Sequence, residues 1–322
     1  NNSPKTLFDG ESIDNWHTIG DVTVENSVLS LNEGASLTLK SGNYSDFYLK
    51  VKARIKGNGK GFIAFHSDSP ETGYRVALNN DLESSEWWTK TGSLLSVRNL
   101  TKSIVNTNEW FDLDIRVEGK GITVSLNGTP VVEYIEPAST FRTPEHATKL
   151  LSSGKFAIQS TEGTLEFKSI EVAPISSTVD IAQQQTLAID ETTDHIIKLH
   201  QENFPVLDYH VHLKGLTADE AAKQARKYGI NYALAPNCGV GFPITNDEEV
   251  LAYIEEMTGQ PFIQAMQGEG REWPQTFSAE IRDMFDYVFT DALTFTDTKG
   301  RRTRLWIPEE VFIEDEQQYM DL

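Results

Sequence analysis

The sequence predicts a multi-domain chain: an all-β sandwich or jelly roll, followed by a partial α/β, TIM-like barrel. Three observations carry this. Up to about residue 175, apolar and polar side chains alternate with period two. A polar stretch follows. From Phe204 onward, short apolar runs alternate with segments of helical period, the pattern of strand–helix units on a parallel sheet. The expected boundaries are 1–175 for the sandwich, 176–203 for a linker ending in a helix, and 204–322 for the barrel.

In the sandwich, Phe47, Leu49, Val51, Ala53 and Ile55 face one way, with Tyr48, Lys50, Lys52 and Arg54 facing the other. Phe111 to Val117 repeats the pattern. Ile122, Val124 and Leu126 lead into Asn127-Gly128 and then Val131-Val132. Asn-Gly between two such runs predicts a tight hairpin, because both residues accept positive φ. Phe156, Ile158, Leu165, Phe167, Ile170 and Val172 supply the closing strands. In the linker, Ser176-Ser177-Thr178 and Gln183-Gln184-Gln185 precede Ile196, Ile197 and Leu199 of the helix.

In the second region, Val206–Val211, Ile230–Ala235, Phe262–Met266 and Tyr287–Leu293 read as strands. Helices are expected over Thr217–Tyr228, from Thr245, and over Ser278–Phe285. Thr217 with Glu220, and Thr245 with Glu248, have capping-box spacing; Gly229 and Gly259 end their helices. Val250, Leu251, Ile254 and Met257 form the expected buried stripe. Residues 205–322 fall short of the roughly 250 that a closed barrel takes, so a truncated barrel is expected, with a smaller open α/β unit as the alternative and Tyr319–Leu322 opening another helix.

At 322 residues, 39% hydrophobic and 24% charged, the chain suits two soluble domains. The net charge of −20 repels phosphate, so nucleic acid is not an expected partner; neutral sugars or metal cations are. No run of about eighteen apolar residues predicts a membrane span. Cys238, the single cysteine, excludes an internal disulfide and a thiolate zinc cluster. The polar start at Asn1 fits a bacterial chain exported to the periplasm or cell surface with its signal peptide removed. The oligomeric state is left open.

Sugar recognition combines aromatic faces with planar polar groups. Tyr74, Trp87, Trp88, Asn79, Asn80 and Arg98 have that chemistry, and His66 falls at a strand end, where a side chain can reach a cleft. The same residues also suit a Trp pair over an apolar edge and an Asn-Asn-Asp turn. Leu7-Phe8-Asp9-Gly10 with Trp16, the Gly61–His66 run, Thr91-Gly92-Ser93, Asn108-Glu109-Trp110, Leu126-Asn127-Gly128 and the Phe167–Val172 strand occur in an order that resembles the 3-keto-disaccharide hydrolase (3-keto-glycoside lyase) family. The resemblance covers residues 5–175. It implies a concanavalin-like jelly roll and a glycoside oxidised at C3, whose ketone acidifies the C2 proton so that a general base drives loss of the C1 substituent. Many members carry Gly-x-Glu-x-Gln where this chain has Gly73-Tyr74-Arg75-Val76-Ala77, and a His after Gln where it has Gln159-Ser160-Thr161. His66 is then the expected base, with Tyr74, Asn79, Trp88, Arg98 and Gln159 as substrate contacts. A sugar-binding module without chemistry is the alternative.

In Asp208-Tyr209-His210-Val211-His212, the two histidines fall at i and i+2 on one strand and point the same way. With Glu269 after the third strand and Asp291 at the end of the fourth, they make an N/O set suited to zinc, manganese or iron. Asp208–His212 and Glu269 resemble the polymerase-and-histidinol-phosphatase (PHP) branch of metal-dependent barrel hydrolases. That resemblance implies further ligands on later strands, so only weak or partial metal binding is expected here. Cys238 reads as structural.

Overall fold

A computed structural model describes residues 3–184, 194–291 and 293–321. The chain divides into two compact units, one of residues 1–207, 219–231 and 259–261 and one of residues 208–218, 232–258 and 262–322. Residues 185–193 of the expected linker lie outside the described residues.

The first unit is mostly a β-sandwich. Its strands are β1 (Lys5–Phe8), β2 (Trp16–Ile19), β3 (Val22–Glu25), β4 (Val28–Leu31), β5 (Ser36–Leu39), β6 (Phe47–Ser67), β7 (Tyr74–Asn79), β8 (Phe111–Glu118), β9 (Gly121–Leu126), β10 (Thr129–Ile135) and β11 (Lys155–Pro174). Two long strands organise it. β6 and β11 pair antiparallel from Phe47↔Pro174 to Ser67↔Lys155. Along β6 the other partner changes: Phe47–Ala53 pairs with β8 and Lys60–Phe65 with β7. The expected Phe47–Ile55 strand is therefore the first half of a 21-residue one. Its interruption at Gly57 and Gly59 faces register shifts in β11, a bulged bend that lets one strand serve two regions of sheet.

The alternation holds where predicted: β8 buries every second residue from Phe111 to Val117. Asn127 and Gly128 join β9 to β10 with φ of 47° and 81°, the left-handed pair that their tight turn requires. Gly61 is obligatory for a different reason: a Cβ there would stand 1.9 Å from the Gln159 carbonyl oxygen. The core runs from Phe8 and Trp16 through Phe47, Phe65 and Tyr74 to Phe167 and Val172. A smaller cluster of Phe62, Ala64 and Ala157, with Leu95 against it, lies apart from that core. Helix α1 (His195–Gln201), capped by Asp194, belongs to this unit.

Most of helix α2 (Ala218–Tyr228) also counts with the first unit; Gly229, at φ 69°, ends it as expected. The second unit is built on a parallel sheet. Strand β12 (Leu207–Val211) neighbours β13 (Asn231–Leu234), and β13 and the short β14 (Asn237–Cys238) pair in turn along β15 (Ile263–Glu269). β16 (Tyr287–Asp291) pairs with the other side of β15. A hairpin of β17 (Thr294–Thr296) and β18 (Arg302–Arg304) follows.

Helix α3 (Asp247–Met257) starts one residue later than the sequence suggests. Asn246, not Thr245, is its cap and accepts from the Glu249 N–H, while Glu249 reaches back to Thr245. Val250 and Met257 are buried and Ile254 partly so, but Leu251 is exposed, and Tyr253 packs in its place. The expected Ser278–Phe285 helix is a single turn, α5 (Ala279–Arg282), preceded by the equally short α4 (Trp273–Thr276). Pro274 sits in the first turn of α4, where proline is tolerated, and Phe277, at extended φ and ψ, ends α4 and separates it from α5. Helix α6 (Glu316–Asp321) is the helix anticipated at Tyr319. A closed or TIM-like barrel is not formed by these elements.

Candidate functional site

A cleft of about 300 Å³ opens in the first unit on the side of β6 and β7 away from the main core. Its wall follows strand parity. On β7, Tyr74, Val76 and Leu78 are core residues, so Arg75, Ala77 and Asn79 face the cleft with Phe62 of β6. The segment 143–149 adds Glu145, His146, Thr148 and Lys149, and the carboxylates Glu71, Glu86 and Glu162 also line the cleft.

That segment is held from several sides. Thr143 N–H donates to the Gln201 side chain (2.9 Å), and the His146 Nε2–H bonds the Gln201 carbonyl at 3.0 Å. Gln201 Nε2 in turn donates to Phe141 O (2.8 Å). One polar residue at the end of α1 thus holds the loop at Phe141, Thr143 and His146. Arg142 Nε donates to Lys149 O at 2.8 Å, and Lys149 N–H to His146 O at 2.9 Å.

The charges in the wall are unevenly matched. Lys60 pairs with Glu162 at 3.1 Å and Asp81 at 3.7 Å. Arg75 lies over the Phe62 ring at 4.7 Å and donates to Glu71 O, but its Nε is buried and meets no partner among the described residues. Lys149 is 6% exposed. Burial, then the charges of Arg75 and Arg142, push its amine down to about 7. Burial also holds His146 below the ordinary imidazole range, so it is neutral at pH 7 with Nε2 committed to Gln201 and Nδ1 left as acceptor.

The residues singled out in the sequence do not converge. Asn79 lines the cleft. Tyr74, of opposite parity, is fully buried: stacked on Phe65 at 5.5 Å, it donates to Glu136 and accepts from Arg142. His66 is a structural residue and not a free base. Its Nδ1 accepts from Ser152 N–H (3.1 Å) and its Nε2–H donates to Ser45 O (2.7 Å), so no lone pair remains. A φ of 50° turns it from the cleft side onto Phe47 and Phe65. Arg98 is buried over the Tyr134 ring at 4.9 Å and donates to Val97 O. Trp88 is half-buried, edge-on to Trp87, and does not line the cleft. Gln159 stands in register with Phe62 but outside the lining. Of the aromatic side chains, Phe62 alone among the described residues lines the wall, and Arg75 covers it. Sequence reasoning passed over Arg75, His146 and Lys149. The parity of β7 was a signal for Arg75; a loop lysine carries none.

In the second unit, His210 and His212 do project together. Their Nε2 atoms lie 3.0 Å apart, and His210 Nε2 is 2.7 Å from Gln267 Oε1. The carboxylates stand behind Gln267. Its Nε2 donates to Glu269 Oε1 (2.8 Å) and Asp291 Oδ2 (3.2 Å), and Asn237 also donates to Glu269. Burial, with the charge of Asp291, raises the Glu269 carboxyl. No three of His, Cys, Asp and Glu come together as a metal centre among the described residues. The donors around the histidine pair are two imidazoles and an amide oxygen; Glu269 and Asp291 are one residue removed from the expected set. Cys238 is fully buried, its thiol pushed up to about 12, as a structural cysteine should be.

This is a carbohydrate-related sandwich domain. The chain belongs to the family of the 3-keto-alpha-glucoside-1,2-lyase-like domain, whose profile matches residues 3–173. Among solved structures, a candidate glycosyl hydrolase from Parabacteroides distasonis is 19% identical, with 53% of this chain and 94% of that one covered and a TM-score of 0.47. The carbohydrate-binding module CBM66 from Bacillus subtilis is 18% identical over 50% and 92%, at 0.33. The VIP36 exoplasmic/lumenal domain with bound Ca²⁺ and Man3GlcNAc is 14% identical over 59% and 94%, at 0.39. No curated protein matches the chain. No helix among the described residues is long and apolar enough to cross a membrane.

Proposed function

We propose that the first unit cleaves glycosides oxidised at C3, by elimination across C1 and C2, in the cleft between β7 and the 143–149 segment. The carrying observation is the pairing in that cleft of a neutral, acceptor-ready histidine, His146, with cationic or amine groups, Arg75 and Lys149, inside the domain that defines the family. Elimination needs a base for the C2 proton and a group to stabilise the electron pair it leaves beside C3. His146 Nδ1 takes the first role; Arg75 and Lys149 supply the second. The cleft volume is at the lower end for small-molecule sites, which suits one sugar ring. Incubation with 3-keto-disaccharides and with the unoxidised sugars tests this: release of the C1 substituent from the keto substrates alone is expected.

A binding module is the second reading. It is favoured by the commitment of both His66 nitrogens to backbone groups and by Arg75 at the position where many members carry a carboxylate. Binding of keto sugars with no released product would establish it.

For the second unit, which begins at residue 208, the reading is a segment of a PHP-like metal-dependent hydrolase. Its support is the His210–His212 pair at the carboxyl end of β12 on a parallel sheet. A divalent ion there would be held by the two imidazoles and Gln267, with a carboxylate reached only if Gln267 moves. Export to the periplasm or cell surface goes with a glycoside substrate and is tested by cell fractionation.

A further inference from the structure

We propose that Lys149 is the catalytic amine of this cleft and captures the C3 ketone of its substrate as an imine. The inference rests on the reading of the first unit above and names the residue that stabilises the electron pair. Lys149 is one of two lysines on the wall, and the contrast between them is the starting point. Lys60 has carboxylates at 3.1 and 3.7 Å. Lys149 is nearly sealed, yet no hydrogen bond or ion pair to its Nζ is found among the described residues.

Its backbone is fixed on both sides by His146 O and Arg142 Nε. The charged groups around it are Arg75 of β7, Arg142 and Glu145 of its own loop, with His146 neutral beside them. Burial, and two guanidiniums that outweigh one exposed carboxylate, push the amine down to about 7. A desolvated lysine next to other cations is the arrangement that makes an amine nucleophilic toward carbonyls.

The step balances without a cofactor. The Nζ lone pair attacks C3. The carbonyl oxygen leaves as water, with one proton from the amine and one from solvent, and a protonated imine remains. His146 Nδ1 takes the C2 proton, and the C–H pair becomes the C2=C3 bond of an enamine. The nitrogen pair then re-forms C=N, the C1=C2 bond forms, and the C1–O bond breaks. The departing oxygen takes the proton from His146. Water hydrolyses the imine, returning the amine and an unsaturated 3-keto sugar.

The test uses the full chain, 3-ketosucrose and sodium cyanoborohydride, which reduces an imine to a stable secondary amine. Time-dependent inactivation, with the sugar adduct on the peptide containing Lys149 and none with sucrose, is expected. K149R, which keeps charge but forms no imine, should lose at least about 100-fold in turnover, with folding followed by its melting curve; trapping in the unsubstituted protein does not depend on that variant. Cleavage with no adduct at Lys149, or near-normal turnover by folded K149R, overturns the imine and leaves the cleft reading in place. Neither cleavage nor adduct from 3-ketosucrose overturns both.

Discussion

Arg142 Nε donates to the main-chain carbonyl of Lys149 at 2.8 Å, while Arg142 Nη2 reaches the hydroxyls of Tyr74 and Tyr134, both at 3.0 Å. One guanidinium thus ties the loop that carries the amine to two tyrosines of the sandwich core and also lowers the amine's proton affinity. These two effects separate in R142K. The charge stays, so the acid limb of kcat/KM on a 3-keto substrate should remain near pH 7, where Lys149 loses its proton. The fork geometry is lost, because an ammonium cannot serve a carbonyl and two hydroxyls in one plane. A fall in kcat/KM of about tenfold with an unmoved acid limb is expected; a shifted limb would mean that position and charge are not separable.

Lys149 should also weaken the fold that holds it. Its folded pKa is depressed from 10.5 to about 7. Between those values the unfolded chain binds the proton and the native one does not, so stability falls as pH drops from about 10.5 to about 7 and is level below. K149M removes this term. It should raise the melting temperature at pH 7 by the equivalent of about 1–4 kcal/mol, gain little at pH 10.5, and abolish turnover. Thermal melts across that range check it.

His66 predicts the opposite pattern. It satisfies two backbone groups, Ser45 O and Ser152 N–H, at a position 7% exposed. H66A leaves both unbonded, a cost of about 2–4 kcal/mol. Its folded pKa is lowered by burial, so its contribution is present above about pH 6.5 and is lost as pH falls through the folded value. Denaturant melts should show the loss at pH 7.5, and turnover per folded molecule should be unchanged.

Much of the fold was legible because its determinants are local. Period-two burial in β8, the Asn127-Gly128 turn and the Gly229 helix stop all follow from residue type and spacing. The residues that carry the family resemblance are fold-makers as well: Trp16 Nε1 donates to Leu7 O at 2.9 Å, and Thr91 Oγ1 accepts from Asn79 N–H at 2.9 Å. That is why they locate the domain but not its chemistry. The site was less legible for two reasons. Tyr74 and Asn79 were grouped by chemistry although they are five positions apart, an odd offset that puts them on opposite faces, so β7 cannot present both to one cleft. The left-handed turn at His66, and the folding of 143–149 onto Gln201, are long-range outcomes with no sequence period. Leu251 and the shifted cap at Asn246 show the same limit within a helix, where a half-turn decides which apolar residue is inside.

The histidine pair makes the last prediction. The Nε2 atoms of His210 and His212 lie 3.0 Å apart, and Gln267 Oε1 is 2.7 Å from the first. Gln267 stands where a hydrolytic site would need a carboxylate, with its amide nitrogen turned to Glu269 and Asp291. Two neutral imidazoles and an amide oxygen do not neutralise a divalent ion, so zinc binding should be weak, in the micromolar range or above, and should support no phosphoester hydrolysis by this chain. Q267E places a carboxylate oxygen 2.7 Å from His210 Nε2 if the side chain keeps its place. It should tighten zinc binding about 10–100-fold, measured by calorimetry or competition with a chelating dye, and H210A should abolish the gain. Tight stoichiometric zinc in the unsubstituted chain would show that Gln267 swings aside and admits Glu269; no tightening in Q267E would mean that the two histidines pair with each other for structural reasons alone.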